Sequence, residues 1–211
     1  MKFSIFPISW YKENISWNDE LKKKYIPRIE DSLDDLIIPE TWLTNNVKTS
    51  ILDIDLNQSI LDKSLVDTYG KIISKFFTEE VNILIYQPWF NHYTNGEWQE
   101  QHTHCGTIDH PIHFACIHYL QYDPKIHSAL VVEDPNSTMR KYVYQPPEYY
   151  SKIKFDISEG DLVMIPSYLG HEVAAGDPTP DYPRITISFN VRVSNPESKK
   201  NIIEGTEADE K

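Results

Sequence analysis

The chain has 211 residues, 40% of them hydrophobic and 12% aromatic, with a formal net charge of −12. That composition supplies one sizeable core and excludes a mostly disordered chain. The acidic balance disfavours nucleic acid held through a broad basic face, two cysteines do not make a disulfide framework, and no apolar run approaches the ~20 residues of a membrane span.

In chain order, the first ten residues read as a strand, with Phe3, Ile5 and Phe6 as β-formers and Pro7 favouring an edge. MKFSIFPISWYKEN has no apolar h-region followed by a small-residue cleavage site, so a soluble intracellular protein is expected. Ser16 to Ile37 reads as helical, with Ser16 as N-cap, Asp19 and Glu20 near the positive end, and Pro27 dividing the segment into two short helices. A second helix is predicted over Asn57 to Phe77, where Leu61, Leu65, Val66, Tyr69, Ile72, Ile73 and Phe76 recur at helical spacing.

From Asn82 the pattern changes to short strands. They are predicted at Asn82 to Tyr93, Ile112 to Tyr122, Ala129 to Glu133, Lys141 to Tyr144, Lys154 to Ile157, Asp161 to Ile165, His171 to Ala174 and Arg184 to Val193. About eight short strands after two helical segments predict a mainly β, α+β architecture: a double-sheet jelly roll with the N-terminal helices packed on one sheet. One domain is expected over residues 1–195, with helical support at about 16–78 and the core at about 82–193. Residues 196–211 read as a flexible tail. The run VYQPPEYY (143–150) reads either as a lid or as a packed loop.

The segment EWQEQHTHCG holds His102 and His104, one residue apart. On an extended segment that spacing puts both imidazoles on one face, the beginning of a transition-metal site. The bland alternative is two polar residues on a wet strand. Cys105 beside them is a candidate ligand or a small packed residue. His171 follows the apolar run DLVMIP and a Pro-Ser break, so it is carried toward the core, as a third ligand or as a satisfied core histidine. In RITISFNVRV, Arg184, Thr186 and Ser188 share one face and Ile185, Ile187 and Phe189 the other. A buried Arg on that face needs an anionic partner, and a planar guanidinium suits a carboxylate.

The blocks WFNHYTNGEWQEQHTH, HYL, VEDP, GDLVMIPS, GHEV and RITISFN stand in this order between Trp89 and Asn190. Together they resemble the 2-oxoglutarate/Fe(II)-dependent oxygenases, most closely a group common in tailed phages and marine bacteria and related in fold to the prolyl 4-hydroxylases. The resemblance covers roughly Asn82 to Val193 and is weaker over the N-terminal third, where Trp42 and Thr49-Ser50 look similar.

The resemblance implies a double-stranded β-helix of the jelly-roll, cupin-like kind. It implies an Fe(II)- and 2-oxoglutarate-dependent dioxygenase that uses O2 and releases succinate and CO2, usually hydroxylating its substrate. His102, His104 and His171 match the metal positions. His104 departs from the pattern, because a carboxylate is usual there, and Glu100 and Asp109 are nearby carboxylates that would serve instead. Arg184 matches the residue holding the far carboxylate of 2-oxoglutarate, with Thr186 as hydroxyl companion and Tyr93 as a further hydrogen-bond donor. Asn91, His92 and His113 match nothing as firmly, and His118 is not expected to be a ligand. The implied substrate is a protein, peptide or small molecule, the implied setting the cytoplasm of a bacterial or phage-infected cell, and a homodimer is left open. Two other readings stay open: a cupin-like three-His metalloprotein that does not use 2-oxoglutarate, and a non-enzymatic jelly-roll virion or interaction protein.

Overall fold

The computed structural model describes residues 8–36, 39–40, 42–43, 47–86, 88–94, 96–137 and 151–196. The expected strand at 141–144, the 143–150 run, most of the first expected strand and most of the expected tail lie outside the described residues. The strands are β1 Tyr11–Asn14, β2 Lys48–Thr49, β3 Asn82–Ile85, β4 Trp89–Tyr93, β5 Gln99–His102, β6 Phe114–Gln121, β7 Leu130–Glu133, β8 Lys152–Lys154, β9 Asp161–Pro166, β10 His171–Val173 and β11 Arg184–Ser194. The helices are α1 Asn18–Glu30, α2 Ile54–Ile60 and α3 Lys63–Ser74, with a 3-10 turn at Leu33–Asp35.

Two antiparallel sheets face one another. The larger runs β1-β9-β6-β11-β4-β2, with β3 also on β11, and the smaller runs β5-β10-β7-β8. This is the layout expected of a jelly roll. One core lies between the larger sheet and the helices. There Tyr25 and Ile29 of α1 and Leu65, Tyr69, Ile72 and Ile73 of α3 meet Phe90, Leu120, Ile185, Ile187 and Phe189. Burying each such aliphatic side chain stabilises by about 1.5–3 kcal/mol, and that packing holds the helices on one sheet. The second core, Ala115, Ile117, Leu130, Val132, Val163, Ile165 and Leu169, fills the space between the sheets. The alternation along β11 therefore has its physical cause: odd-numbered Ile185, Ile187 and Phe189 go to the helices, and Arg184, Thr186 and Ser188 point between the sheets.

Several boundaries differ from the sequence reading. Pro27 sits inside α1 without ending it, and the N-cap is Trp17, not Ser16, with no side-chain cap bond. The buried Tyr25 and Ile29 on either side of Pro27 anchor that last turn. The second helical segment is two helices: α2 ends at Ile60, and Asp62, two residues on, caps α3 by accepting from the Leu65 N–H. The long strand expected from Asn82 to Tyr93 is β3 and β4, separated around Pro88, which has no N–H for a ladder. Strand β8 lies two residues before its expected start, because Phe155 and Ile157 turn into the inter-sheet core. Among the described residues no helix is long and apolar enough to cross a membrane.

Candidate metal centre

His102 closes β5 and His171 opens β10, and the two are directly paired across the smaller sheet. His171 opposes His102 while Val173 opposes Gln99, so β5 carries one extra residue at this point. Such a bulge re-aims side chains. It lets Gln99 and His102, three residues apart, both line the inter-sheet pocket. His104 lies beyond the strand, held by its own N–H to the Ser167 carbonyl at 2.8 Å. The ring centroids are 4.3 Å apart for His102 and His171, 5.0 Å for His102 and His104, and 5.1 Å for His104 and His171. One donor atom from each lies within 4.8 Å of the others, a spacing at which a single metal ion can be shared.

Two of these rings are already oriented. Nδ1 of His102 lies 2.8 Å from the Glu100 carbonyl and Nδ1 of His171 lies 2.9 Å from the Leu169 carbonyl. A carbonyl only accepts, so each Nδ1 carries the proton and each Nε2 keeps a free lone pair. This is the arrangement that aims metal-binding histidines. The Trp89 ring lies nearly parallel to His104, 16° apart at 6.2 Å. Burial, then the neighbouring His102, pushes His104 down to about 4 and His171 down to about 3. Both are therefore neutral at neutral pH, the form that binds metal without first losing a proton.

The same pocket extends from the histidines to Arg184, Thr186, Tyr93 and Tyr119. Arg184 is 4% exposed. Its guanidinium carbon lies 4.5 Å from the Tyr93 ring centre and 5.4 Å from that of Tyr119. Among the described residues, Nε and Nη1 of Arg184 and the hydroxyl of Tyr119 have no hydrogen-bond partner. A permanently charged, buried group with two unpaired nitrogens, set between two tyrosine rings, is a site for an anion. Three imidazoles at one end and a buried guanidinium at the other fit a metal ion chelated by a small dicarboxylate.

The structure brings together all six residues singled out in the sequence: His102, His104, His171, Arg184, Thr186 and Tyr93 line one pocket. The other candidates are elsewhere. Glu100 turns to the Leu43 N–H, and neither it nor exposed Asp109 belongs to the three-residue donor group. Cys105 is exposed and Cys116 is buried on the helix side of β6, so neither is a ligand in this group. His118 faces the helices, accepting from Tyr69 and donating to Asn18 Oδ1. Pocket residues to which sequence reasoning gave no role are Trp89, Gln99 and Tyr119, while Asn91 was noted without a role and Ser188 only as sharing the face of Arg184. The signal for Tyr119 was the period of two along β6, which sends it inward when His118 goes out.

Residues 87–190 match the family model described as "Putative 2OG-Fe(II) oxygenase". The chain carries a 2OG-Fe(II) oxygenase domain over these residues. It is thus an enzyme, a 2-oxoglutarate-dependent dioxygenase whose cofactor is Fe(II) and whose co-substrates are 2-oxoglutarate and O2. No curated protein matches its sequence.

Among solved structures, the oxygenase is similar to a prolyl-4-hydroxylase of Pseudomonas putida: 15% identity, 89% of this chain and 94% of that one, TM-score 0.54. It is similar to a Trichoplax adhaerens prolyl hydroxylase in complex with a hypoxia inducible factor peptide fragment: 14% identity, 86% and 82% covered, TM-score 0.56. A third is the viral collagen prolyl hydroxylase of Paramecium Bursaria Chlorella virus-1 in its 2OG complex: 13% identity, 87% and 95% covered, TM-score 0.52. At these identities the likeness is one of fold. The family match carries the oxygenase reading over the two alternatives left open by the sequence.

Proposed function

We propose that the oxygenase holds Fe(II) through His102, His104 and His171, binds 2-oxoglutarate with Arg184, Thr186 and Tyr93, and hydroxylates a peptide, protein or small molecule. The net change is one C–H bond and O2 consumed with 2-oxoglutarate, giving a C–OH group, succinate and CO2. The observation that carries this reading is the buried Arg184, without a hydrogen-bonded partner on Nε or Nη1 among the described residues, in the same pocket as three imidazoles.

Bound Fe(II) with 2-oxoglutarate would supply the oxidising chemistry, which the protein serves by position and enclosure. Arg184 and Thr186 orient the far carboxylate of the co-substrate. Tyr93 and Tyr119 wall the guanidinium off from water, which strengthens its pull on an anion. His102 and His171 present fixed Nε2 lone pairs. No side chain is required as a general base. With three neutral ligands the site carries one negative charge fewer than with two histidines and a carboxylate, and this favours anionic co-ligands. For the substrate we favour a basic peptide or protein, on two grounds: the formal charge of −12 attracts cationic partners, and one structure of the same fold carries a bound peptide.

The test is succinate formation from 2-oxoglutarate in the presence of Fe(II) and O2, for the wild type and for His102→Ala, His104→Ala and His171→Ala. Loss of metal-dependent succinate in all three variants is expected. Full activity in His104→Ala would remove that residue from the site. Incubation with a pool of basic peptides, followed by mass spectrometry for the gain of one oxygen atom, then identifies the substrate class.

A further inference from the structure

Of the three imidazoles, His102 and His171 each have a carbonyl that takes the Nδ1 proton, at 2.8 and 2.9 Å. His104 has no such carbonyl partner for its ring among the hydrogen bonds of the described residues; its contacts are the three flanking rings. The side chain beside it is Asn190, close enough to interact with the His104 ring. Asn190 stands on β11 two residues beyond Ser188, on the face that carries Arg184 and Thr186. Its backbone is fixed on both sides, opposite Ala115 of β6 and by the Tyr86 N–H to its carbonyl at 2.9 Å. Its side-chain Oδ1 is shut off from solvent and has no hydrogen-bond partner among the described residues. A buried amide oxygen left unpaired is destabilising, so its place beside an imidazole with an unplaced N–H is a specific juxtaposition.

We infer that Asn190 is the positioning residue of the metal centre: its Oδ1 accepts the ring N–H of His104 when metal is bound, doing for that ligand what the Glu100 and Leu169 carbonyls do for the other two. The inference rests on the assignment of His104 as a ligand. The opposite orientation, with the amide donating to the ring, would place the ring proton on the nitrogen that must face the metal, and is incompatible with ligation. Oriented as an acceptor, Asn190 fixes the tautomer and tilt of His104 and raises its basicity. Partners of this kind are worth roughly 10- to 100-fold in metal affinity.

The experiment is anaerobic Co(II) titration of the metal-free full chain against a competing chelator, with the visible d–d spectrum as a second readout. Wild type, Asn190→Ala, Asn190→Asp and His104→Ala are compared, and urea unfolding of each metal-free protein controls for folding. Asn190→Ala is expected to bind Co(II) about 10- to 100-fold more weakly with an altered d–d band. Asn190→Asp, which keeps only acceptor atoms, is expected to restore affinity and the wild-type band shape. Wild-type affinity and spectrum in Asn190→Ala, alongside weakened binding in His104→Ala, would overturn the role of Asn190 alone. Unchanged Co(II) binding in His104→Ala would overturn the ligand assignment beneath it.

Discussion

Replacing Arg184 with Met removes the charge and keeps most of the stem, and the structure predicts opposite effects on stability and on co-substrate binding. The guanidinium is 4% exposed, and two of its nitrogens lack partners among the described residues. An ion buried this way carries a desolvation penalty of several kcal/mol. The compensation in view is contact with the Tyr93 and Tyr119 rings at 4.5 and 5.4 Å, worth about 0.5–2 kcal/mol each. Removing the charge should therefore leave the metal-free protein as stable as the wild type or more stable. Binding of 2-oxoglutarate should lose about 2–5 kcal/mol, the usual cost of truncating one partner of a buried charge pair. That is roughly 30- to 5,000-fold in Kd. Urea unfolding of the metal-free proteins gives the first quantity, and equilibrium dialysis of 2-oxoglutarate in the presence of Mn(II) gives the second. The wild type alone should also gain about 2.7 kcal/mol of stability at a 2-oxoglutarate concentration of 100 times its Kd. An Arg184→Met protein destabilised by more than about 2 kcal/mol and still binding 2-oxoglutarate normally would refute the reasoning, because Arg184 would then be a structural residue whose rings outweigh its burial cost.

Three further outcomes follow from the fold. Tyr69→Phe removes the hydroxyl that donates to His118 Nδ1 at 2.8 Å in a fully buried setting, and urea unfolding should show a loss of about 1–3 kcal/mol while Co(II) affinity stays at the wild-type value. Burial holds His118 down at about 3 against ~6.5 in the unfolded chain; the unfolded state then binds more protons below pH ~6.5, so stability of the metal-free protein should fall on acidification from that point by up to ~1.4 kcal/mol per pH unit per such histidine. A urea midpoint that stays level between pH 7 and pH 5 would contradict this. Gly96 has φ +72° and a Cβ there would lie 2.3 Å from the Gly176 carbonyl oxygen, so Gly96→Ala should cost more than about 1 kcal/mol by thermal denaturation and weaken 2-oxoglutarate binding through the adjoining Tyr93.

What the sequence made legible, and what it did not, follows from the range of each interaction. The face of Arg184, Thr186 and Ser188 could be read because strand alternation is local and β11 is long, Arg184–Ser194. His102 and His104 do lie side by side, but for a partly different reason: β5 ends at His102, and His104 is positioned by a backbone bond to Ser167, 63 residues on. The bulge that aims Gln99 and His102 depends on the register of β10 and leaves no mark within β5 itself. Asp62 as the cap of α3 was readable in principle, since Asp before an apolar helical run is a common start signal, but the continuous period through Leu61 and Leu65 concealed it. The chain from Tyr69 through His118 to Asn18 spans sequence separations of 49 and 100 residues, which no local pattern reports. Asn190 was quoted within RITISFN without a role, because its neighbour His104 is reached only through the fold.

The central claim is that three histidines and Arg184 form one site for a metal chelated by 2-oxoglutarate. The measurement that tests it most directly is anaerobic addition of Fe(II) to the purified protein, with and without 2-oxoglutarate, monitored for the weak visible charge-transfer band of the chelate. The account predicts a band that requires both Fe(II) and 2-oxoglutarate, is lost in His171→Ala and His104→Ala, and in Arg184→Met forms only at much higher 2-oxoglutarate concentration. Fe(II) bound with no band at any 2-oxoglutarate concentration, or a band that is the same in all three variants, would contradict it.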